Sequence, residues 1–151
     1  MLNRRTFLIA AATAPAVAAL ATRATAAEPQ VFSSGGAAIN GYDPVAYFTD
    51  AAPVEGSAEF STEWNGATWQ FATPENLATF EADPEAFAPQ FGGYCAYAVA
   101  RGYTAKTDPD AWTVHNGKLY LNFSKGIRRR WLRDIDGEIV QGEANWPSVL
   151  G

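Results

Sequence analysis

The segment FSTEWNGATWQF, residues 60–71, has the clearest local pattern in the chain. Asn65-Gly66 is a dipeptide preferred in two-residue type I′ turns, which need a positive φ at both central residues. Counted outward from this turn, the opposed pairs are Trp64 with Ala67, Glu63 with Thr68, Thr62 with Trp69, Ser61 with Gln70, and Phe60 with Phe71. The first, third and fifth pairs carry the large apolar side chains, so the pattern predicts a β-hairpin with one buried face.

A second hairpin is predicted around Asn116-Gly117. Its opposed pairs are His115 with Lys118, Val114 with Leu119, Thr113 with Tyr120, and Trp112 with Leu121. Alternation places one set of side chains on the buried face: Trp112, Val114, Leu119, Leu121 and Phe123. Tyr120 falls on the opposite face and is expected to be exposed.

Short helices are predicted between and after the hairpins. Asp43 caps one that begins at Pro44, and Thr73 caps one that runs from Pro74 to about Ala82. Asp83-Pro84 starts a further short turn. The remaining predicted helices are Tyr94 to Arg101, which ends before Gly102, and a helix capped by Ser124 that continues to about Ile135. A last segment, 138–144, leads to Trp146-Pro147, which should anchor the chain end. The fold class is therefore α+β, a small antiparallel sheet of two hairpins flanked by short helices.

The start of the chain has the pattern of an export signal. Arg4-Arg5 precedes an apolar run from Leu8 to Leu20, and 24–26 is a small-x-small cleavage site. A membrane anchor is the alternative, but the run is shorter than the roughly 20 residues of a bilayer span and contains Pro15. We expect a cleaved twin-arginine signal over 1–26, periplasmic localisation, a flexible segment over 27–36, and one domain over 37–151.

Cleavage would leave a strongly acidic protein. It would remove three of the 11 basic residues and none of the 16 acidic residues, so the net charge would change from −5 to −8. Such a surface repels phosphate backbones, which excludes nucleic acid as an expected partner. The basic cluster Arg128, Arg129, Arg130 and Arg133 spreads around a helix, where a solvated face is favoured over an anion site.

Several of these motifs resemble the YHS domain, a small module often associated with metal binding. They are Asp43-Pro44-Val45, the strand ending at 69–73, and the segment 83–89. The extension through 92–96, 117–122 and Trp146-Pro147 resembles exported bacterial YHS-domain-containing proteins. The resemblance covers nearly all of the mature chain and implies a YHS-like fold.

The resemblance also bears on metal binding. Metal-binding versions of the family tend to carry one cysteine after the Asp-Pro-Val element and another after the aromatic-x-Phe strand. In this chain Ala46 and Ala72 occupy those places. A soft-metal site built from those two thiolates is therefore absent.

Cys95 is the only cysteine, which excludes an internal disulfide. In the first turn of a helix after Gly92-Gly93 its pKa would be lowered, and the thiolate would bind copper or attack an electrophile. The alternative is a small buried apolar side chain. His115, the only histidine, is either a second ligand or an exposed turn residue. Copper(I) accepts two or three soft ligands, so Cys95 and His115 form the predicted metal site, whereas a structural zinc site would need four.

A ligand pocket near the cysteine is predicted from Tyr42, Asp43, Tyr94 and Tyr97, although tyrosines also serve as core residues. The favoured function is a non-enzymatic periplasmic protein that binds a ligand, with a copper ion as the candidate cofactor. A protein–protein interaction module with a structural Cys95 is one alternative, and a thiol-dependent enzyme is another. The enzyme is less favoured because nothing local marks an orienting group, an oxyanion hole or a phosphate loop.

Overall fold

The computed structural model describes residues 12–16 and 27–151. Apart from the exposed residues 12–16, the predicted export signal lies outside this part of the chain. The described residues form an α+β fold of short strands and short helices, which confirms the predicted class. None of the helices in the described ranges has both the length and the apolar character needed to cross a bilayer.

The strands form three separate two-stranded antiparallel sheets. The strands are β1 Ser33–Ser34, β2 Ala37–Ala38, β3 Ser57–Trp64, β4 Ala67–Phe71, β5 Trp112–His115 and β6 Lys118–Leu121. The α-helices are α1 Ala46–Thr49, α2 Pro74–Ala82, α3 Pro84–Phe87, α4 Ala96–Ala100, α5 Lys125–Trp131 and α6 Ile135–Asn145. Four 3₁₀ turns lie at Ile39–Gly41, Gln90–Gly93, Leu132–Asp134 and Ser148–Leu150. The two predicted hairpins, β3–β4 and β5–β6, therefore do not share a sheet.

The first hairpin has the predicted register near its turn and a different one farther out. The four pairs from Trp64 with Ala67 to Ser61 with Gln70 are confirmed. The fifth is wrong, because a register shift leaves Phe71 opposite Ser57 instead of Phe60. Within the shifted stretch the Ser61 hydroxyl donates to the Ala58 carbonyl and the Ser57 hydroxyl accepts from the Glu59 N–H. Such local side-chain bonds compete with the ladder, so β3 bulges there.

All four pairs of the second hairpin are confirmed, but the assignment of its faces is partly wrong. Leu119 and Leu121 are buried as expected. Tyr120, expected outside, is only 2% exposed, and Phe123, expected inside, is 45% exposed. The Tyr120 ring packs on Trp131 at a centroid distance of 5.2 Å and on Phe91 at 6.0 Å. Both faces of β6 are therefore covered, which simple alternation does not reveal.

Strand β6 lies between two hydrophobic cores. The first core contains Leu119 and Leu121 together with apolar side chains of the first hairpin and α2, including Trp69, Phe71 and Phe80. The second contains Tyr120, Phe91, Tyr94, Val99 and Trp131, with side chains of α6 and Trp146 packed against it. Neighbouring side chains of one strand thus belong to different cores.

The predicted caps at Thr73 and Ser124 are confirmed, whereas several helix boundaries are wrong. The first helix was expected to begin at Pro44 with Asp43 as its cap, but it begins at Ala46 with Val45 at the cap position. Thr73 Oγ1 accepts from Asn76 N at 3.1 Å, and Ser124 Oγ accepts from Ile127 N at 3.1 Å. The helix after Ser124 ends at Trp131 and not near Ile135. A new helix starts at Ile135, where the Asp134 carboxylate accepts from Gly137 N. Because of this cap, the predicted single helix ends early as α5, and α6 covers residues 135–145 instead of the expected 138–144.

The segment 27–36, expected to be flexible, makes specific contacts. Glu28 N donates to Leu150 O at 2.8 Å, and Phe32 N donates to Gly92 O at 2.9 Å. The Val31 side chain is buried in the first core. The packed part of the chain therefore begins before Ala37, the boundary that the sequence suggested.

Candidate functional site

Cys95 lies just before α4 and forms an isolated parallel bridge with Leu121. The expected helix start at Tyr94 is wrong, because Tyr94 is extended and the helix begins at Ala96. The thiol is 1% exposed; its sulfur accepts from Phe123 N at 3.2 Å and lies 3.5 Å from Asn122 Oδ1. Burial raises the pKa of the Cys95 thiol, and nearby backbone N–H groups offset this only in part. The expected lowering of its pKa is therefore wrong.

Asn122 holds the cysteine region together. Its side-chain oxygen accepts from Tyr97 N at 3.0 Å, and its backbone N–H donates to Ala111 O at 3.0 Å. The residue is fully buried, and its Nδ2 has no hydrogen-bond partner among the described residues. These contacts place Cys95 in a structural junction between β6 and α4.

His115 lies at the turn end of β5, and its Nε2 is 3.2 Å from Asp136 Oδ1 on α6. Cys95 lies beside Leu121 at the opposite end of the hairpin, three residue pairs away. At about 3.3 Å per residue this separates them by roughly 10 Å along the strands. The structure therefore does not bring the two predicted ligands together. Within the described ranges no group of three or more His, Cys, Asp or Glu side chains is placed to hold a metal ion.

The predicted ligand-pocket residues contact different parts of the fold. The Tyr94 hydroxyl donates to Pro29 O at 2.8 Å, while Tyr97 packs under the Arg101 guanidinium, 3.3 Å from its ring centroid. Tyr42 is half-buried, and its backbone forms an isolated antiparallel β-bridge with Glu55. Asp43 is completely buried, and its carboxylate accepts hydrogen bonds from Val45 N, Ala72 N and the Asn76 side chain. The side chains of Asp43, Tyr94 and Tyr97 are therefore engaged in contacts within the fold.

A pocket of about 400 Å³ lies elsewhere, between the tip of the first hairpin, the segment from α3 to Gly92, and Trp146. We call it the tryptophan pocket, because three of its lining residues are Trp64, Trp69 and Trp146. Trp69 is buried, whereas Trp64 and Trp146 are half-buried. Its residues come from positions 30 to 146, so no local motif marks it. The sequence features that belong to the pocket are the Gly92-Gly93 pair and Trp146-Pro147, but neither one alone indicates a pocket.

The rim of this pocket is fixed by an unusual backbone. Phe91, Gly92 and Gly93 have φ values of 57°, 63° and 84°. A Cβ at Gly92 would lie 1.9 Å from the Gln30 carbonyl oxygen and 3.1 Å from the Trp146 ring. Glycine is therefore required where the chain from Gln30 and the C-terminal indole approach each other.

The polar lining of the pocket is uneven in charge. Three amides, Gln30, Asn65 and Gln90, and one carboxylate, Glu85, line it. Lys, Arg and His are absent among the described residues that line it. The pocket thus combines indole rings with hydrogen-bonding groups and a single carboxylate.

A comparison with known protein families finds a match for one part of the chain. The family model of the YHS domain matches residues 45–91. No curated protein and no solved structure matches the chain. The matched segment includes the first hairpin, α2 and α3, and it ends at Phe91 in the rim of the tryptophan pocket. Cys95 and His115 lie outside it. The similarity to the YHS domain that the family model shows therefore covers residues 45–91.

Proposed function

We propose that the protein is an exported, non-enzymatic binding protein that holds a small organic ligand in the tryptophan pocket. The observation that carries this proposal is a pocket of about 400 Å³ that combines three indoles with three amides and a carboxylate. Ligand sites are typically concave, mostly aromatic or apolar, and supplied with a few polar groups that orient the ligand.

The walls of this pocket are held in place without a ligand. The Trp64 ring packs on Trp69 and Phe80 at centroid distances of 5.9 and 5.8 Å. Trp146 packs on Phe91 at 6.1 Å and on Tyr94 at 6.3 Å. A preformed site favours binding, because less side-chain entropy is lost when the ligand enters.

The positions of Cys95 and His115 support a binding role over a thiol-dependent enzyme. A nucleophilic cysteine needs a lowered pKa and a base within hydrogen-bond reach. Burial raises the pKa of Cys95, and His115 contacts Asp136 at the other end of the hairpin. Metal binding through these two residues stays a prediction, for which the geometry supplies no shared site.

Export to the periplasm is proposed from the sequence at residues 4–26 alone. Fractionation followed by intact-mass measurement tests it. Periplasmic protein that begins near Ala27 is expected, and an Arg4→Lys, Arg5→Lys double variant should remain in the cytoplasm. Uncleaved wild-type protein in the cytoplasm would contradict export.

The binding function is tested by a screen of neutral, cationic and anionic small molecules against the purified protein. A ligand that binds only the folded state raises the thermal midpoint. We expect hits that shift the indole N–H signals of Trp64 and Trp146 in NMR spectra. Trp64→Phe should weaken their binding, while Trp112→Phe should not.

Trp112 is a matched control, because it is a half-buried indole of the other hairpin that packs on an aromatic ring, Tyr47 at 5.5 Å. A complete absence of hits would overturn the proposed function. Hits that respond equally to both substitutions would also overturn it, because binding would then not depend on the tryptophan pocket.

A further inference from the structure

We propose that the tryptophan pocket selects a small organic cation of the quaternary-ammonium or alkylammonium class. This inference rests on the proposed function and adds the chemical class of the ligand. It is carried by the coincidence of indole rings, a single carboxylate and the absence of basic side chains in the described lining.

The indole rings supply the first part of the recognition. Tryptophan is the aromatic side chain that attracts a cation most strongly, and rings arranged around a quaternary ammonium group are a known way to hold it. Trp64 and Trp146 lie far apart in the sequence and line the same pocket. Because each is packed against two further aromatic rings, their positions are set before a ligand arrives.

The Trp69 indole has a different role. It is buried, and its Nε1 donates to the Trp64 carbonyl at 3.0 Å. Its N–H group is therefore engaged within the hairpin and is not available to an acceptor on the ligand. This leaves its ring as apolar wall and ties the backbone of Trp64 in place.

Charge supplies the second part. Glu85 is the one ionisable side chain in the described lining, and it carries a negative charge at neutral pH. The whole chain has a net charge of −5, so its field also attracts cations. An anionic ligand would meet a carboxylate and no basic partner, which makes it the least favoured class.

A metal ion fits the pocket less well than an organic cation. Calcium takes six to eight oxygen ligands, and its protein sites rely on carboxylates, while soft metals need thiolate or imidazole. One carboxylate and three amides line the pocket, without Cys or His. A large, weakly hydrated cation needs no such ligand shell and gains from contact with the rings.

The test compares choline with 3,3-dimethylbutan-1-ol, a neutral molecule of nearly the same shape. Binding to the purified protein is measured by calorimetry. We expect choline to bind and the neutral analogue to bind about tenfold more weakly or not at all. Glu85→Gln should reduce choline affinity several-fold, whereas Glu81→Gln, an exposed carboxylate in the preceding helix, should not.

The outcomes separate this inference from the proposed function. If the neutral analogue binds as tightly as choline and both weaken in Trp64→Phe, the pocket binds ligands but the cation inference is overturned. The same holds if choline does not bind while a neutral or anionic hit of the screen depends on Trp64. Choline binding that is unchanged in both Trp64→Phe and Glu85→Gln overturns the inference, because its site lies elsewhere. If nothing binds, both proposals are overturned.

Discussion

The Asp43 carboxylate accepts a hydrogen bond of 2.9 Å from the backbone N–H of Ala72, 29 residues farther along the chain. Its other oxygen accepts from Val45 N at 2.8 Å and from Ala46 N, the first residue of α1, at 3.3 Å. The Asn76 side-chain amide donates at 2.7 Å to the same carboxylate oxygen that accepts from Ala72 N. One buried side chain thus joins α1 to the end of β4 and the start of α2.

Asp43→Asn is expected to destabilise the protein by about 3 kcal/mol. The amide has the same shape, but in either orientation its NH₂ group would face N–H donors that now bind a carboxylate oxygen. Chemical denaturation measures the change, with the exposed Asp50→Asn as the control. Equal unfolding free energies for both variants would show that the Asp43 bonds contribute little.

Asp43 also reveals the geometry of the two positions at which metal-binding versions of the family tend to carry cysteines. Ala46 and Ala72 both donate to this one carboxylate, so the two positions are neighbours in space. We expect the double variant Ala46→Cys, Ala72→Cys to bind copper(I) more tightly than either single variant under reducing conditions, because two thiolates then share the ion. Competition titration against a copper(I) chelator measures this. A double variant no tighter than the single ones would mean that the side chains at these positions diverge.

Copper(I) binding by the natural sequence is expected to be the same in the wild type and in Cys95→Ser. The Cys95 thiol is buried, its pKa is raised, and His115 is at the far end of the hairpin. The same chelator competition applies, with His115→Ala as a second variant. Loss of tight binding in both variants would establish the site predicted from the sequence.

The raised pKa of Cys95 predicts a pH effect on stability. Above about pH 8.5 the thiol ionises in the unfolded chain before it does so in the folded protein, so its contribution to stability falls as pH rises. The Cys95→Ser variant lacks this titration. The unfolding free energy of the wild type minus that of the variant should therefore decrease between pH 7 and pH 10. A difference that stays constant or grows would show that burial does not disfavour the thiolate.

Gly92→Ala should destabilise the protein far more than Gly117→Ala. Both residues have positive φ, 63° and 74°, so both substitutions carry a conformational cost of about 1–2 kcal/mol. Only at Gly92 would the new Cβ also collide with the Gln30 carbonyl, whereas at Gly117 it meets open space. Thermal unfolding of the two variants measures the difference. Similar midpoints would mean that the segment at Gln30 moves away without cost.

The features that the sequence predicted correctly depend mainly on interactions between residues close together in the chain. Asn-Gly turns and Ser or Thr caps act within a few residues, and the pairs near both turns and both caps were predicted correctly. The burial of Tyr120 and the second role of Asp43 depend on partners far away in the sequence. The tryptophan pocket was missed for the same reason, since its walls come from the first hairpin and from segments near residues 30, 90 and 146. The bulge near Phe60 is an exception, because local serine hydrogen bonds accompany it and the alternation pattern does not reveal them.

Strand β6 has a hydrophobic core on each face, and one of these cores belongs to the segment that the YHS model matches. The match to that domain ends at residue 91, yet the core beneath its hairpin includes Leu119 and Leu121 from beyond that limit. The segment that the family model matches and the hydrophobic core that covers it are therefore not the same piece of this chain. A protein cut at residue 91 would keep the recognisable domain and leave one side of its interior open to water.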